Sequence, residues 1–108
     1  KYSGSNDIDN VAWYRDNSGR DTLYSVATKA PNELGIYDMS GNVSEWCSDW
    51  YADYTSYSQT NPKGPQSGSY RVRRGGSWRY FVRCCRSSFR YDCDPADRGY
   101  NLGLRLAL

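Results

Sequence analysis

Hydrophobic and polar positions alternate clearly in only a few short stretches of this chain. The clearest stretch lies at the C-terminus, where leucine occupies every second position: Leu102, Leu104, Leu106 and Leu108. Successive side chains of a strand point to opposite faces, so this spacing predicts a terminal strand with its leucines on one buried face. Residues 70–74 and the aromatic residues around position 46 predict two further strands.

Turn-forming residues interrupt the rest of the sequence about every ten positions, which leaves no room for a long helix. Residues 1–30 predict an irregular arm that must lie on a preformed core. Residues 31–69 contain a tight loop, an aromatic strand and a surface loop. Residues 70–108 contain a strand that ends at a glycine pair, a variable segment and the terminal strand. We therefore expect residues 1–108 to form a single α+β domain that is mainly β and loop-rich.

Aromatic side chains supply much of the apolar surface of this short chain. Trp, Tyr and Phe make up 16% of the 108 residues, whereas all hydrophobic residues together make up 38%. A domain of this size buries about two thirds of the surface that its unfolded chain exposes, so the core must be small. We expect it to contain the alternating leucines of the C-terminus and three tryptophans: Trp46, Trp50 and Trp78.

Charge and hydropathy argue against two classes of partner. The net charge is +2, with 14 basic and 12 acidic residues, so no nucleic-acid partner is expected. Arg71, Arg73 and Arg74 are interpreted as the solvent face of a strand. No apolar stretch is long enough to span a bilayer and no leader pattern occurs, so direct membrane insertion is not expected. The cellular location is not fixed by these residues; a cell-surface or secreted protein is our hypothesis.

The four cysteines do not follow the spacing of a zinc site, and the chain contains no histidine. Cys47 and Cys85 each fall in a predicted strand, which makes them the first choice for one disulfide. Cys84 and Cys93 fall in segments that look like loops or exposed positions. Free buried thiols are an equally good alternative, because unpaired cysteine behaves as a small hydrophobic residue.

Four segments resemble the formylglycine-generating-enzyme (sulfatase-modifying factor) family in order and spacing: residues 31–46, 74–78, 85–87 and 101–105. The resemblance implies a C-type-lectin-like fold with a small antiparallel sheet and long ordered loops. It covers residues 31–108 well and the arm moderately, whereas the N-terminal half of the family is missing. The chain is then either a fragment or a reduced version of the scaffold.

The resemblance also implies a structural Ca²⁺ site in the loop between residues 38 and 45. Matching the family position by position gives side-chain ligands from Asp38 and Glu45 and main-chain carbonyl ligands from Gly41 and Val43. Hard oxygen ligands at this density suit Ca²⁺. The alternative is a metal-free loop in which Asp38 caps a turn and Glu45 contacts an arginine.

The oxidase activity of the resembling family depends on a pair of cysteines separated by four residues after the Gly-Gly-Ser element, where soft thiolates bind copper. In this sequence Tyr80 stands where the first cysteine would be, and Cys84 and Cys85 are adjacent. A Ser/His/Asp set is also ruled out, because the chain has no histidine. We therefore expect a protein that is not an enzyme.

Between residues 79 and 101 a family framework alternates with residues that do not fit it: Arg79, Tyr80, Phe81, Cys84, Tyr91, Asp92, Cys93, Asp97, Gly99 and Tyr100. Relatives often carry asparagine at such positions, and changing the adenines of an AAC codon yields each of these residue types. This resembles the variable proteins of diversity-generating retroelements, which implies that the ten residues bind a protein or another macromolecule. Tyrosine, arginine and small polar residues are also typical of binding surfaces.

Three other interpretations remain open. In the first, the segment between residues 79 and 101 is an ordinary surface loop that has drifted in sequence. In the second, the chain is a fragment of an oxidase that has lost its copper-binding cysteine pair. In the third, the chain is a structural module of a larger surface protein.

Overall fold

The computed structural model describes residues 1–19 and 22–107. Four short strands form one sheet: β1 (Ser44–Trp50), β2 (Arg71–Arg74), β3 (Tyr91–Cys93) and β4 (Leu102–Gly103). Two 3₁₀ helices accompany it: Ile8–Asn10 and Val82–Cys85. Loops and turns make up most of the remaining described chain, so the expected mainly β, loop-rich fold is confirmed. No helix among the described residues is long and apolar enough to cross a membrane.

The strands lie in the order β3-β2-β1-β4. The β1–β2 and β2–β3 pairs are antiparallel, as expected, whereas β4 pairs with β1 in parallel. The two central strands were predicted from their alternation and their aromatic residues. The sheet places the Gly75–Gly76 turn at the end of β2, where the candidate binding segment begins.

The predicted C-terminal strand is much shorter than the leucine alternation suggested. β4 contains only Leu102 and Gly103, and Leu104 and Leu106 are 69% and 84% exposed. The prediction that these two leucines are core residues is therefore wrong. β4 pairs with β1 only at Leu102 and Gly103, and beyond these residues the Arg105 side chain forms an ion pair of 2.7 Å with Glu45. Leu108 lies outside the described residues.

The core itself is built largely by the N-terminal arm. One buried cluster joins Cys85 with five residues of the arm: Tyr2, Ile8, Val11, Ala12 and Tyr14. The expectation that the arm lies on a preformed core is wrong, because the arm supplies the apolar side chains of that core. Four short strands alone bury too little apolar surface for a stable domain, and the buried cluster of the arm supplies more of it.

The three tryptophans differ in burial. Trp78 is 4% exposed, as expected for a core residue, whereas Trp46 and Trp50 are only half-buried. The guanidinium carbon of Arg71 lies 3.5 Å from the centre of the Trp50 ring and covers part of it. Arg71 therefore packs on an aromatic ring. Because Trp46 and Trp50 are only half-buried, the prediction that they are core residues is wrong.

All four cysteines are free, so the proposed Cys47–Cys85 disulfide is not formed. Cys47 lies on β1, as predicted, but Cys85 lies in the second 3₁₀ helix and faces the arm. The two thiols are thus in different parts of the molecule. Cys93 was expected in a loop or exposed position, yet it lies on β3 and is buried. The alternative of free thiols is the correct one.

Candidate ligand-binding surface

The segment that carries the candidate residues leaves the sheet through the Gly75–Gly76 turn. Both glycines have positive φ angles, 91° and 71°. A Cβ atom on Gly76 would lie 2.7 Å from the Cys85 Sγ, so only glycine fits between β2 and the second 3₁₀ helix. Just beyond the turn, the amide of Trp78 donates a hydrogen bond of 2.8 Å to the carbonyl of Asn42. Buried contacts therefore fix the start of the segment.

A cavity of about 210 Å³ opens beside this turn. Four of the ten candidate residues line it: Tyr80, Phe81, Cys84 and Tyr91. Tyr80 and Phe81 precede the second 3₁₀ helix, Cys84 lies in that helix and Tyr91 lies on β3, so the fold brings together residues that are up to eleven positions apart. The remaining lining includes Phe89 and the arginines at positions 73, 74 and 83. The cavity therefore combines aromatic walls with cationic groups.

Arg73 is the arginine most closely framed by the candidate residues. Its guanidinium carbon lies 5.3 Å from the centre of the Tyr80 ring and 4.8 Å from that of Tyr91. Arg73 and Tyr91 are directly paired across β2 and β3, which places their side chains on the same face of the sheet. Two aromatic faces thus hold the cation in place beside the cavity.

Arg79 and Tyr100 form a second group of candidate residues. The Nη1 atom of Arg79 donates a hydrogen bond of 3.0 Å to the Tyr100 hydroxyl. The Tyr100 ring stacks on the buried Trp78 ring at 6.3 Å between ring centres, and its side chain is 68% exposed. A buried tryptophan therefore supports an exposed tyrosine, as in a binding surface with a rigid base.

The last four candidates are not equally placed for binding. Cys93 is only 6% exposed, and its Sγ donates to the Asp97 Oδ2 at 3.3 Å. Burial is the main cause that raises the pKa of the Cys93 thiol. Asp92 points to the opposite face of β3 from its neighbours and is paired with buried Val72. Asp97 and Gly99 are exposed. The expectation of one exposed face for all ten residues is therefore wrong for Cys93 and Asp92.

Sequence reasoning missed the arginines that line the cavity. The alternation of residues 71 to 74 placed Arg71 and Arg73 on one face, and that part of the interpretation is correct. The aromatic residues of other segments cover that face, so it is not an open solvent face. Pairing of Arg73 with Tyr91 is the signal that could have found the site, but it required the register of β3, which the sequence did not provide.

The proposed calcium loop is shaped by residues with unusual backbone conformations. Asp38 and Gly41 have φ angles of 58° and 78°. The Asp38 Oδ2 accepts a hydrogen bond of 2.8 Å from the amide of Ala27. Gly41 packs against the backbone of Trp13, and Val43 lies against Gly103.

Glu45 contacts Arg105 through both carboxylate oxygens, at 2.7 and 3.0 Å. This ion pair and the Asp38 hydrogen bond are the contacts expected for a metal-free loop. A carboxylate offers about four lone-pair sites, and a bidentate arginine uses about two of them. Asp38 and Glu45 therefore each keep carboxylate lone pairs that are not used in these contacts, and carboxylate oxygen is a ligand type that Ca²⁺ prefers. Within residues 1–19 and 22–107, no three His, Cys, Asp or Glu side chains gather into a metal cluster.

Comparison with known proteins shows which family this chain resembles. The profile of the sulfatase-modifying factor enzyme 1-like domain matches residues 1–108. The solved structure of Treponema denticola variable protein 1 superposes with a TM-score of 0.86 at 42% identity, covering 94% of this chain and 38% of the other. The formylglycine-generating enzyme of Mus musculus is 40% identical over 84% of this chain and 26% of its own length.

A third relative is the chaperone protein LppX of Paenibacillus barcinonensis, which is 36% identical over 97% of this chain and 40% of its own length. The chain therefore spans less than half the length of each of these relatives. The scaffold predicted from the sequence motifs is confirmed by these likenesses, both in sequence and in three dimensions.

Proposed function

We propose that this chain, which belongs to the sulfatase-modifying factor enzyme 1-like family, binds a ligand through a diversified surface on a C-type-lectin-like scaffold. The relatives are named for different activities, so the family alone does not select one. The proposed ligand is a protein or another macromolecule. The likeness to a variable protein of Treponema denticola supports this choice over an enzymatic one.

The observation that carries the proposal is the separation between a buried framework and the residues displayed on it. Gly76 and Trp78 are buried; the Gly76 carbonyl accepts a hydrogen bond from the Ser44 hydroxyl, and the Trp78 amide donates to the Asn42 carbonyl. Tyr80, Phe81 and Tyr91 line the cavity above them, and Phe81 and Tyr91 are about half exposed. Exposed aromatic side chains grouped on a rigid base are typical of interaction sites. Such an arrangement tolerates exchange of the displayed residues because the framework provides the stability.

The same segment supports a non-enzymatic function. Tyr80 stands where the resembling oxidases have the first cysteine of their copper pair. Burial first, and the neighbouring Cys84 second, raise the pKa of the Cys85 thiol to about 12. Hydrogen bonds from the amides of Gly41 and Ser77 oppose this effect only in part. Cys85 is therefore a weak nucleophile near pH 7, because thiolate is the reactive form of cysteine.

A library randomised at the candidate positions other than buried Cys93 and Asp92, which points to the opposite face of β3, tests the proposal: Arg79, Tyr80, Phe81, Cys84, Tyr91, Asp97, Gly99 and Tyr100. Single substitutions at such positions are expected to change the free energy of unfolding by about 0.5 kcal/mol or less. Most members should therefore melt cooperatively near the parent temperature, while selection against a panel of proteins should yield members with different specificities. Thermal melts and binding are measured on the same clones.

The matched control is a library of equal size at framework positions such as Ser44, Gly76 and Trp78, and most of its members should fail to fold. Widespread unfolding of the surface library, or folded members that never acquire binding, would contradict the proposal.

We propose in addition that Ca²⁺ binds the loop at Asp38 and Glu45, with main-chain oxygens of Gly41 and Val43. The ion would neutralise the Asp38 carboxylate and share Glu45 with Arg105. A ligand at a hundredfold excess over its dissociation constant stabilises the folded state by about 2.7 kcal/mol. For a domain of about 100 residues this raises the melting temperature by roughly 10 °C or more.

Thermal melts in Ca²⁺ and in chelator measure this difference. The Asp38→Asn variant, which keeps the acceptor for the Ala27 amide, should lose most of it. Coincident melts of the parent chain in the two buffers would contradict the calcium proposal.

A further inference from the structure

Charge is distributed very unevenly along this chain. Residues 54–91 contain eight basic residues and no acidic one: Lys63, Arg71, Arg73, Arg74, Arg79, Arg83, Arg86 and Arg90. Residues 1–53 contain nine acidic and four basic residues. The small net charge therefore conceals a basic segment that contains β2, the second 3₁₀ helix and most of the residues that line the cavity.

The arginines of this segment are not neutralised within the molecule. Among the described residues, the ion pair between Arg105 and Glu45 is the only one within 4 Å. Arg71 and Arg74 donate to main-chain carbonyls instead. Arg90 donates to the carbonyl of Ala52 and lies over an aromatic ring. The fold therefore holds several cations in fixed positions without placing a carboxylate beside them.

Arg73 and Arg90 each have a buried Nε without a hydrogen-bond partner among the described residues, and of these two only Arg73 lines the cavity. Tyr80 and Tyr91 frame the Arg73 guanidinium, which limits its motion and leaves it beside the cavity. A buried donor without a partner is costly, and a charge-assisted hydrogen bond to the same guanidinium group would offset part of that cost.

The volume of the cavity restricts what enters it. At about 210 Å³ it is smaller than the roughly 300–1,000 Å³ of pockets for drug-sized ligands. A single side chain of a larger partner fits such a space, as anchor residues do in protein interfaces. The lining contains Arg73, Arg74 and Arg83 and no aspartate or glutamate. Its charge therefore complements a carboxylate.

We propose that this cavity receives a glutamate or aspartate side chain from an acidic segment of a partner protein, with Arg73 and Arg83 binding the carboxylate. The inference rests on the proposed function, since it specifies the ligand of the same surface. A nucleic acid also carries negative charge, but the cationic groups line a small open cavity of side-chain size instead of following an extended groove, which favours the protein segment. Association with an acidic partner should also be faster at low salt.

Binding of fluorescent hexaglutamate to the 108-residue chain tests the proposal, with hexaglutamine and a six-residue oligothymidylate as the other probes. The chain should bind hexaglutamate more tightly than either. Arg73→Gln should weaken that binding about tenfold or more, because it removes a charge-assisted hydrogen bond. Arg73→Lys, which keeps the charge, should weaken it less. Melting temperatures of all variants verify that they are folded.

Arg71→Gln is the matched control, because Arg71 lies on the same strand and face but outside the cavity lining. Its effect on hexaglutamate binding should be less than about threefold, as for a surface charge. Equal loss in the Arg71 and Arg73 variants, tighter binding of oligothymidylate, or absence of hexaglutamate binding would each overturn the proposal. Clones of the surface library that bind neutral targets would in that case leave the proposed function standing, so the two failures are distinguishable.

Discussion

The Trp78→Ala variant is expected to lose about 3 to 5 kcal/mol of stability, the usual cost of emptying a buried tryptophan site. The Trp78 ring is 4% exposed and supports Tyr100. Its main chain connects two segments, since its amide donates to Asn42 and its carbonyl accepts from Ser18 at 2.7 Å. Small domains have only about 5 to 15 kcal/mol in total, so this variant should be largely unfolded or have a much lower denaturation midpoint.

Urea denaturation followed by far-ultraviolet circular dichroism measures this loss without relying on the deleted fluorophore. Trp50→Ala is the matched control, because its ring is half-buried and lies under Arg71. Its cost should be less than half that of Trp78→Ala. Similar midpoints for the two variants would show that Trp78 is not a central support of the fold.

The Gly41→Ala variant is expected to cost about 2 to 5 kcal/mol, adding the penalty of overpacking to that of a left-handed backbone. Gly41 has a φ angle of 78°. A Cβ atom there would lie 2.7 Å from the Trp13 amide nitrogen and closer still to the Trp13 carbonyl oxygen. Because both obstacles are backbone atoms, a side-chain rotation cannot relieve the overlap, and the arm would have to move away from the loop.

Gly35→Ala separates the two contributions. Gly35 has a nearly equal φ angle of 74°, but no atom lies within 4 Å of the position of its missing Cβ. It should therefore show only the backbone penalty, about 1 to 2 kcal/mol. Chemical denaturation of the parent and both variants gives the comparison. If the two alanine variants are equally stable, the close contact between the arm and the loop is absent in solution.

The sequence predicted well where local pattern and chemistry agree. β1 was predicted from its aromatic residues and β2 from its alternation up to the Gly75–Gly76 pair. The aromatic residues and the alternation are both local features of the sequence. Gly75 and Gly76 have positive φ angles, which glycine adopts readily, and they end β2 as predicted. The motifs of residues 31–46 and 74–78 then identified the scaffold.

Prediction failed where long-range contacts decide the structure. The alternation of Leu102, Leu104 and Leu106 satisfied the pattern of a half-buried strand. The strand ends at Gly103, because its pairing with β1, about 60 positions away in sequence, extends over only two residues. The buried apolar residues of the arm were likewise scattered among turn-forming residues, so no periodicity marked them as core.

The candidate surface was predicted residue by residue but not in its arrangement. Residue types identified Tyr80, Phe81, Cys84 and Tyr91, and these four line one cavity. The sequence did not show that Cys93 would be buried, because its burial depends on the pairing of β3 with Arg71 on β2. Nor did it show Arg73 between two tyrosines, which depends on the same register.

The construction of the core from the arm sets the order in which this chain can fold during synthesis. Tyr2 and Tyr14 pack in one cluster with Cys85, and the amide of Ser87 donates to the carbonyl of Lys1. At about 5 to 20 residues per second, the roughly 70 residues between Tyr14 and Cys85 take roughly 4 to 14 s to translate. During that interval the arm residues lack the contact with Cys85 that completes their cluster. Contacts between residues so far apart in sequence slow folding relative to a chain whose core residues lie close together.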